Sequence, residues 1–292
     1  MTHQTLRAEN YALLFSGGYD SYNNWDRYYA ETSRMWNLLT NYGGYAADNV
    51  YVLFADGDNP YQDQHSSETE EYSDSDWSMV SDAGGVIRPA TRLDFIGTVQ
   101  EIGDRMASGE DSFYFWSFDH GAQDDDPAQG SGALVAWNMD PVLGVYETSW
   151  DDVLIKTSEI SALLDPITSM NPLWEAYVMT QCYAGDFLYG LGITETDTNR
   201  FFAYAAAWDE ESYDHAFADA WADGLELGLT TTQALGAYAV HNDIYGEYQG
   251  EYWETPGYIG GNFVMSSIPE PSAIWFGAGA GLALAFMRRK RS

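Results

Sequence analysis

The chain has 292 residues, of which 45% are hydrophobic and 16% aromatic, enough for a full core in one large domain or two small ones. Its 45 acidic residues outnumber 12 lysines and arginines, and the formal charge of −33 argues against nucleic acid or anionic lipid as a partner of the body. A single cysteine excludes an internal disulfide and makes the thiol a candidate reactive group.

The N-terminal part of the chain alternates between strand and helix patterns. Apolar runs at 11–15 and 49–54 predict buried strands, and the spaced apolar positions of 23–42 predict a helix between them. Further along, 133–137 and 143–146 predict a β-hairpin. Because strand–helix–strand alternation is typical of parallel sheets with right-handed crossovers, we expect an α/β domain.

Residues 56–85 form a long acidic insertion with few aliphatic side chains, which predicts a surface loop. Within it, 56–63 is rich in oxygen ligands but lacks the spacing of an EF-hand, so it indicates calcium only weakly. We therefore expect no cofactor, with calcium as the one candidate ion.

Two strand patterns end at residues that can perform chemistry. An aromatic run ends at His120-Gly121, and an apolar run beginning at Glu175 ends at Cys182, which a small-residue turn follows. Parallel strands of an α/β sheet present functional groups at their carboxyl ends. The two patterns therefore predict a Cys–His dyad at one edge of the sheet, against the alternative that Cys182 is a buried structural residue.

A thiol nucleophile needs a proton acceptor and donors for the oxyanion that forms during attack. His120 can accept the thiol proton, and the backbone amides of Gly121 and Cys182 can serve as the oxyanion donors. The sequence contains no P-loop, no dinucleotide-binding glycine motif, no HExxH, no paired-cysteine zinc pattern and no GxSxG motif that would compete with this site.

Several segments, in order, resemble the legumain-like cysteine peptidases of the caspase-like fold. They are YALLFSGG at 11–18, RYYAE at 27–31, FYFWSFDHG at 113–121, TQCYAG at 180–185 and AAWDEESY at 206–213. The resemblance implies a three-layer α/β/α caspase-like domain with a mostly parallel central sheet. It also implies that the histidine of DHG and the cysteine of TQC, His120 and Cys182, are the catalytic pair.

The same resemblance implies a substrate pocket. Arg27 matches the arginine that holds a P1 asparagine in the family, and Ser212 lies near the pocket wall. Thr180 stands where the family has an acidic residue, and Trp25 stands where it has an asparagine. Asp209 and the two glutamates after it could instead form an acidic pocket for basic P1 residues, so the P1 preference stays open.

The C-terminus differs from the rest of the chain. We expect a peptidase domain at 8–248, a Gly/Tyr-rich linker at 249–267 and a distinct tail at 268–292. The tail contains PEP at 269–271, an apolar stretch of roughly 16 residues, which is short for a membrane span, and then RRKR. This order resembles a PEP-CTERM sorting signal.

That second resemblance implies a Gram-negative bacterium, export to the cell envelope or exterior, and transient membrane anchoring by the tail. It implies an exosortase-type processing enzyme as a partner, although the first ten residues contain no apolar run typical of a signal peptide. The expected activity is a cysteine endopeptidase acting on a polypeptide. The alternatives are a non-catalytic acidic surface or matrix protein that binds a partner, and a transpeptidase or ligase.

Overall fold

The computed structural model describes residues 8–123, 128–140, 142–246 and 253–265. Within these ranges the strands are β1 (Asn10–Ser16), β2 (Val50–Phe54), β3 (Gln64–His65), β4 (Tyr72–Ser73), β5 (Val86–Arg88), β6 (Ser112–Ser117), β7 (Gly121–Ala122), β8 (Ala133–Val135), β9 (Leu154–Lys156), β10 (Glu175–Met179), β11 (Arg200–Tyr204) and β12 (Gly257–Gly260). The helices are α1 (Asp26–Asn41), α2 (Ser78–Asp82), α3 (Arg92–Arg105), α4 (Trp150–Val153), α5 (Thr157–Leu163), α6 (Asp165–Thr168), α7 (Phe187–Leu191), α8 (Ala216–Glu226) and α9 (Thr232–Asn242).

A seven-stranded sheet lies at the centre, in the order β12-β11-β10-β6-β1-β2-β5. Every neighbouring pair is parallel except β11 and β12, which are antiparallel. The inner strands β2, β6 and β10 are buried along their whole length, as expected for strands covered on both faces.

Helices cover both faces of this sheet. The hydroxyl of Tyr114 in β6 points to the sulfur of Met35 in α1, whereas its neighbour Phe115 packs edge-on against Phe95 in α3. Because successive strand residues point to opposite faces, α1 and α3 lie on opposite sides. The predicted fold class, a three-layer α/β/α domain with a mostly parallel central sheet, is confirmed.

A small antiparallel sheet, β7-β8-β9, lies beside the carboxyl edge of the central sheet. The predicted hairpin of 133–137 with 143–146 is wrong, because β8 pairs with β7 and β9 instead. The second segment is joined instead to the residues that follow the first, through the bridge of Met139 to Tyr146 and the hydrogen bond from the amide of Asp140 to the carbonyl of Val145 at 2.9 Å. The apolar side chains of Leu143 and Val145 are exposed rather than paired, so their strand-like pattern reflects a surface loop.

The acidic segment 56–85 is partly folded rather than a plain surface loop. It contains the β3–β4 hairpin and helix α2. The His65 ring is buried between the aromatic rings of Trp25 and Tyr72, at centroid distances of 4.9 and 4.8 Å. In the described ranges, no group of three or more His, Cys, Asp or Glu residues is arranged to hold a metal ion, so the calcium reading finds no ligand set there.

Part of the segment predicted as a linker, 249–267, forms part of the sheet. Strand β12 adds to the edge beside β11, and Met265 is buried in the core. The short Gly257-Tyr-Ile-Gly260 run lacks a clear alternating pattern, which is why it was not predicted as a strand. The predicted tail at 268–292, with its apolar stretch, lies outside the described residues. Within the described ranges, no helix has the length and apolarity needed to cross a membrane.

Candidate active site

The sheet brings His120 and Cys182 to the same edge. Strands β6 and β10 are parallel neighbours, and Ser117 lies opposite Met179 at their carboxyl ends. His120 follows Ser117 by three positions, and Cys182 follows Met179 by three. The two loops also touch, because a methyl group added to Gly121 would lie 1.9 Å from the carbonyl oxygen of Cys182. Only glycine fits at 121, so that residue sets the close approach of the two loops.

The imidazole of His120 is held by a backbone carbonyl. Its Nε2 atom lies 2.9 Å from the carbonyl oxygen of Asn23 and 3.4 Å from the hydroxyl of Tyr28. A carbonyl only accepts hydrogen bonds, so the bond to Asn23 requires the proton on Nε2. The neutral ring then keeps a lone pair on Nδ1, which is free to accept a proton.

Asp119 ties the backbone of His120 to the first strand. One carboxylate oxygen accepts hydrogen bonds from the amides of Gly17 and Gly18, at 2.6 and 2.8 Å, and the other accepts from the amide of His120 at 2.6 Å. Burial raises the pKa of Asp119 to about 6, although the nearby His120 and these amides lower it. The buried carboxylate therefore fixes the position of the histidine.

The thiol of Cys182 lies against the backbone of Ser212. The amide of Ser212 donates to Sγ at 3.3 Å, and the thiol donates to the carbonyl of Ser212 at 3.7 Å. Burial raises the pKa of Cys182 above its ordinary value, the amides of Ser212 and Gly121 lower it, and Glu211 raises it. Because the net shift is upward, the thiol is protonated at neutral pH and needs a base to become a nucleophile.

A turn of unusual backbone geometry follows the cysteine. Tyr183 has a φ of 59°, in the left-handed region that non-glycine residues seldom adopt, and its amide donates to the carbonyl of Glu210 at 2.8 Å. The amides of Cys182 and Gly121 both lie close enough to the thiol to lower its pKa. Two backbone donors therefore converge beside the sulfur, where an oxyanion would form during attack.

Arg27 lies close to His120 through Tyr28. Its guanidinium packs over the rings of Trp25 and Tyr28, at 5.4 and 5.3 Å from their centroids. The Nε atom is buried without a hydrogen bond and lies 3.7 Å from Asp214. The Arg27 side chain as a whole is 30% exposed, so the guanidinium lies partly at the surface beside Tyr28.

The other predicted pocket residues lie in different environments. Ser212 contacts the sulfur directly, as described above. Thr180 is buried, and its hydroxyl donates to the carbonyl of Ser117 at 2.9 Å, so its side chain does not line an open pocket. Asp209 is exposed to solvent after the end of β11.

Two glutamates hold the wall behind Ser212: Glu210, which the sequence analysis considered for an acidic pocket, and Glu254, which it did not select. Glu254 accepts a hydrogen bond from the amide of Tyr213 at 2.8 Å, and burial together with Asp243 raises the pKa of Glu254 to about 9. Glu210 accepts from the amide of Thr255 at 2.6 Å. The segment after residue 252 therefore fixes the loop that contacts the sulfur.

The sequence contained a signal for one missed residue but none for the others. Asp119 directly precedes His120 in the quoted DHG motif, so its place beside the site could have been read from the sequence. The carbonyl of Asn23 and the carboxyl of Glu254 reach the site only through the tertiary fold.

Comparison with protein-family models finds no match to this chain, and comparison with curated proteins finds none either. Among solved structures, the crystal structure of drICE is similar over 90% of this chain and 94% of that chain, with a TM-score of 0.47 and 10% sequence identity. At that level of similarity, the function has to be derived from the residues of this chain.

Proposed function

We propose that this protein is a cysteine endopeptidase on a caspase-like fold, with Cys182 as nucleophile and His120 as general base. The observation that carries the proposal is the contact of Gly121 with the Cys182 backbone at the ends of two neighbouring parallel strands. The only thiol of the chain and an imidazole whose Nε2 donates to a carbonyl then share one edge with the amides of Gly121 and Cys182.

In the acylation step, Nδ1 of His120 accepts the thiol proton while Sγ of Cys182 forms a bond to the scissile carbonyl carbon. The amides of Gly121 and Cys182 donate to the oxyanion. Collapse of the tetrahedral intermediate breaks the carbon–nitrogen bond, and the imidazolium gives its proton to the leaving amine. The acyl group remains on Cys182 as a thioester.

In the deacylation step, His120 takes a proton from water as the water oxygen attacks the thioester carbon. The carbon–sulfur bond breaks, the imidazolium returns its proton to the thiolate, and the acid product leaves. An amine that attacks in place of water would give ligation, so the same intermediate serves a transpeptidase or ligase.

For the substrate, we propose a legumain-like pocket in which Arg27 donates to the P1 side chain. The carboxylate of Asp214, 3.7 Å from Arg27, partly neutralises the guanidinium. This balance favours a neutral amide over a carboxylate at P1, because an acidic side chain would meet Asp214 as well as Arg27. Profiling the cleavage sites in a denatured proteome tests the preference directly.

We extend the proposal to an exported protein that a PEP-CTERM tail at 268–292 sorts to the cell envelope or exterior. The support is the order of PEP, apolar stretch and RRKR in the sequence. Mass spectrometry of the mature protein from a Gram-negative host with an exosortase tests this. An intact tail after export would contradict it.

The catalytic proposal is tested by alkylation and by substitution. With one cysteine in the chain, iodoacetamide should add a single adduct, and labelling should stop hydrolysis of a peptide library. Cys182→Ala and His120→Ala should each lower kcat/KM by about 10³-fold or more, whereas His241→Ala, at an exposed position of α9, should leave it unchanged.

Hydrolysis that persists in Cys182→Ala would refute the proposal. Absence of turnover by the unmodified protein on every peptide would instead favour an acidic binding protein. Adding an amine nucleophile and weighing the products distinguishes ligation from hydrolysis.

A further inference from the structure

A cavity of about 290 Å³ opens on the histidine side of the candidate site. It is bordered by the residues Tyr19, Asn23, His120, Gly121, Val135 and Trp150. Ser212 and Arg27, which flank the sulfur on the P1 side, are not among them. The cavity is therefore a separate space that shares the imidazole with the site.

The chemistry of the dyad assigns this cavity to one part of the substrate. The imidazole must protonate the leaving amine, so the leaving half of the substrate lies on the side of His120. The acyl half stays bonded to Cys182 beside Ser212. A cavity bordered by His120 and Gly121 but not by Ser212 is thus positioned for the residue that follows the scissile bond.

The wall of the cavity is aromatic. The ring of Tyr19 stacks on Tyr146 at 5.1 Å and meets Trp150 edge-on at 4.8 Å. Tyr146 and Trp150 are 57% and 46% exposed, although large aromatic side chains usually bury most of their surface. Val135 adds an aliphatic side chain, and none of the described residues that border the cavity is Asp, Glu, Lys or Arg.

The wall is also held in place. Tyr19 has a φ of 65°, in the left-handed region, which a non-glycine residue keeps only where the surroundings impose it. The carbonyl of Tyr19 accepts from the amide of Asn138 at 2.8 Å, and the preceding Gly17 and Gly18 are bound by Asp119. The hydroxyl of Tyr146 donates to Asp20 at 2.9 Å. Asp119 thus positions both His120 and the aromatic wall.

We propose that this cavity binds a large apolar or aromatic side chain at the position directly after the scissile bond. The proposal rests on the proposed peptidase function and names a determinant of its substrate class. A bulky apolar residue would cover Tyr19 and Trp150 and remove water from around His120. A charged residue would keep water around that apolar surface, and a very small residue would leave the cavity unfilled.

The test uses peptides that share one acyl half and differ only in the residue after the bond. Phe, Trp or Leu at that position should give kcat/KM values about tenfold above Gly, Ser or Asp. Trp150→Ala should reduce this ratio to about one, while Trp150→Phe should retain most of it. Tyr42→Ala, an exposed tyrosine on α1's C-terminal end, is the control and should not change the ratio.

A thioester of the same acyl half, which has no residue after the bond, separates the two proposals. Its turnover requires Cys182 but not the cavity, so the unmodified protein and the control Tyr42→Ala should hydrolyse it at the same rate, and Cys182→Ala should not hydrolyse it. If the unmodified protein hydrolyses the thioester and shows no preference after the bond, the cavity proposal is wrong and the peptidase proposal stands. If neither substrate is hydrolysed, both are wrong.

Discussion

Two aspartates occupy equivalent positions in the central sheet and have opposite surroundings. Asp56 lies two residues after the end of β2, and Asp119 lies two residues after the end of β6. Both are buried at the carboxyl edge. Asp119 accepts from three backbone amides, whereas neither carboxyl oxygen of Asp56 meets a donor in the described ranges.

The pKa values reflect this difference. Burial raises the pKa of Asp56 to about 8, with Asp63 and Asp74 adding to the shift, while the pKa of Asp119 is raised only to about 6. His120 and the three amide hydrogen bonds lower the pKa of Asp119, whereas the neighbours of Asp56 are further carboxyls that raise its pKa. A buried carboxylate with several donors can organise an active site, and one without them is a stability cost to the fold at neutral pH.

Asp119→Ala should give the largest effect. It leaves the buried amides of Gly17 and Gly18 and the amide of His120 without their acceptor, which should lower the free energy of unfolding by about 3 kcal/mol or more. Displacement of the histidine should lower kcat/KM by about 10²-fold. Urea unfolding and peptide hydrolysis measure the two effects.

Asp58→Ala, at an exposed position near Asp56, is the control and should change neither quantity. An Asp119→Ala protein with normal stability and normal hydrolysis would show that the carboxylate does not organise the site.

The pH dependence of stability should be the next largest effect. Burial raises the pKa of four carboxyls toward or above neutrality: Glu31 to about 8, Asp56 to about 8, Asp63 to about 7 and Glu254 to about 9. Their unfolded pKa values lie near 4. The folded chain therefore binds more protons than the unfolded chain between about pH 4 and 9, and stability falls as the pH rises through that range.

His215 acts in the same direction. Hydrogen bonds that its ring donates to Asp219 and Asp214 raise its pKa to about 9, so the stability that it contributes below its unfolded pKa is lost as the pH rises through 9. We expect the unfolding temperature at pH 5.5 to exceed that at pH 8.5 by roughly 5 °C or more. Calorimetry at both values, at fixed ionic strength, would contradict this if the order were reversed.

Glu254 is intermediate between Asp119 and Asp56, since its carboxyl accepts a hydrogen bond from one amide, that of Tyr213. Glu254→Ala should free the Ser212–Tyr213 segment and lower kcat/KM by about tenfold, with a stability loss of about 1–3 kcal/mol. Because the Ser212 amide lowers the pKa of Cys182, the pH profile of iodoacetamide labelling should also move to higher pH. Glu68→Gln, at an exposed position, should leave that profile unchanged. An unmoved profile in Glu254→Ala would refute the positioning role.

The sequence could predict the sheet and the two chemical groups at its edge, because both depend on local pattern. Buried strands, helix periodicity and the strand-end positions of His120 and Cys182 are all readable in a single chain. The surroundings of Asp56 and Asp119 could not be predicted, because they depend on which distant segments of the chain pass beside each aspartate. For the same reason, β12 and Glu254 were missed within the segment expected to be a linker. Thr180 was predicted to line a substrate pocket, but its side chain is buried against Ser117.

Asp56→Asn should have the smallest effect, and its sign separates the two aspartates. The amide has nearly the size of the carboxyl but cannot ionise. It therefore removes the free energy that the fold loses at neutral pH because the buried Asp56 has to stay protonated. The folded pKa of about 8 lies above the unfolded value, so ionisation of Asp56 lowers the stability of the unmodified protein as the pH rises toward 8. The variant does not lose stability in this way, because the amide cannot ionise. The variant should be close to the unmodified protein in stability near pH 4.5 and more stable than it at pH 8, with the difference growing between the two pH values. Asp119→Asn should instead be destabilising at both pH values, because one amide oxygen cannot replace two carboxylate oxygens for three donors. Equal pH dependence of Asp56→Asn and the unmodified protein would mean that Asp56 finds a donor in solution.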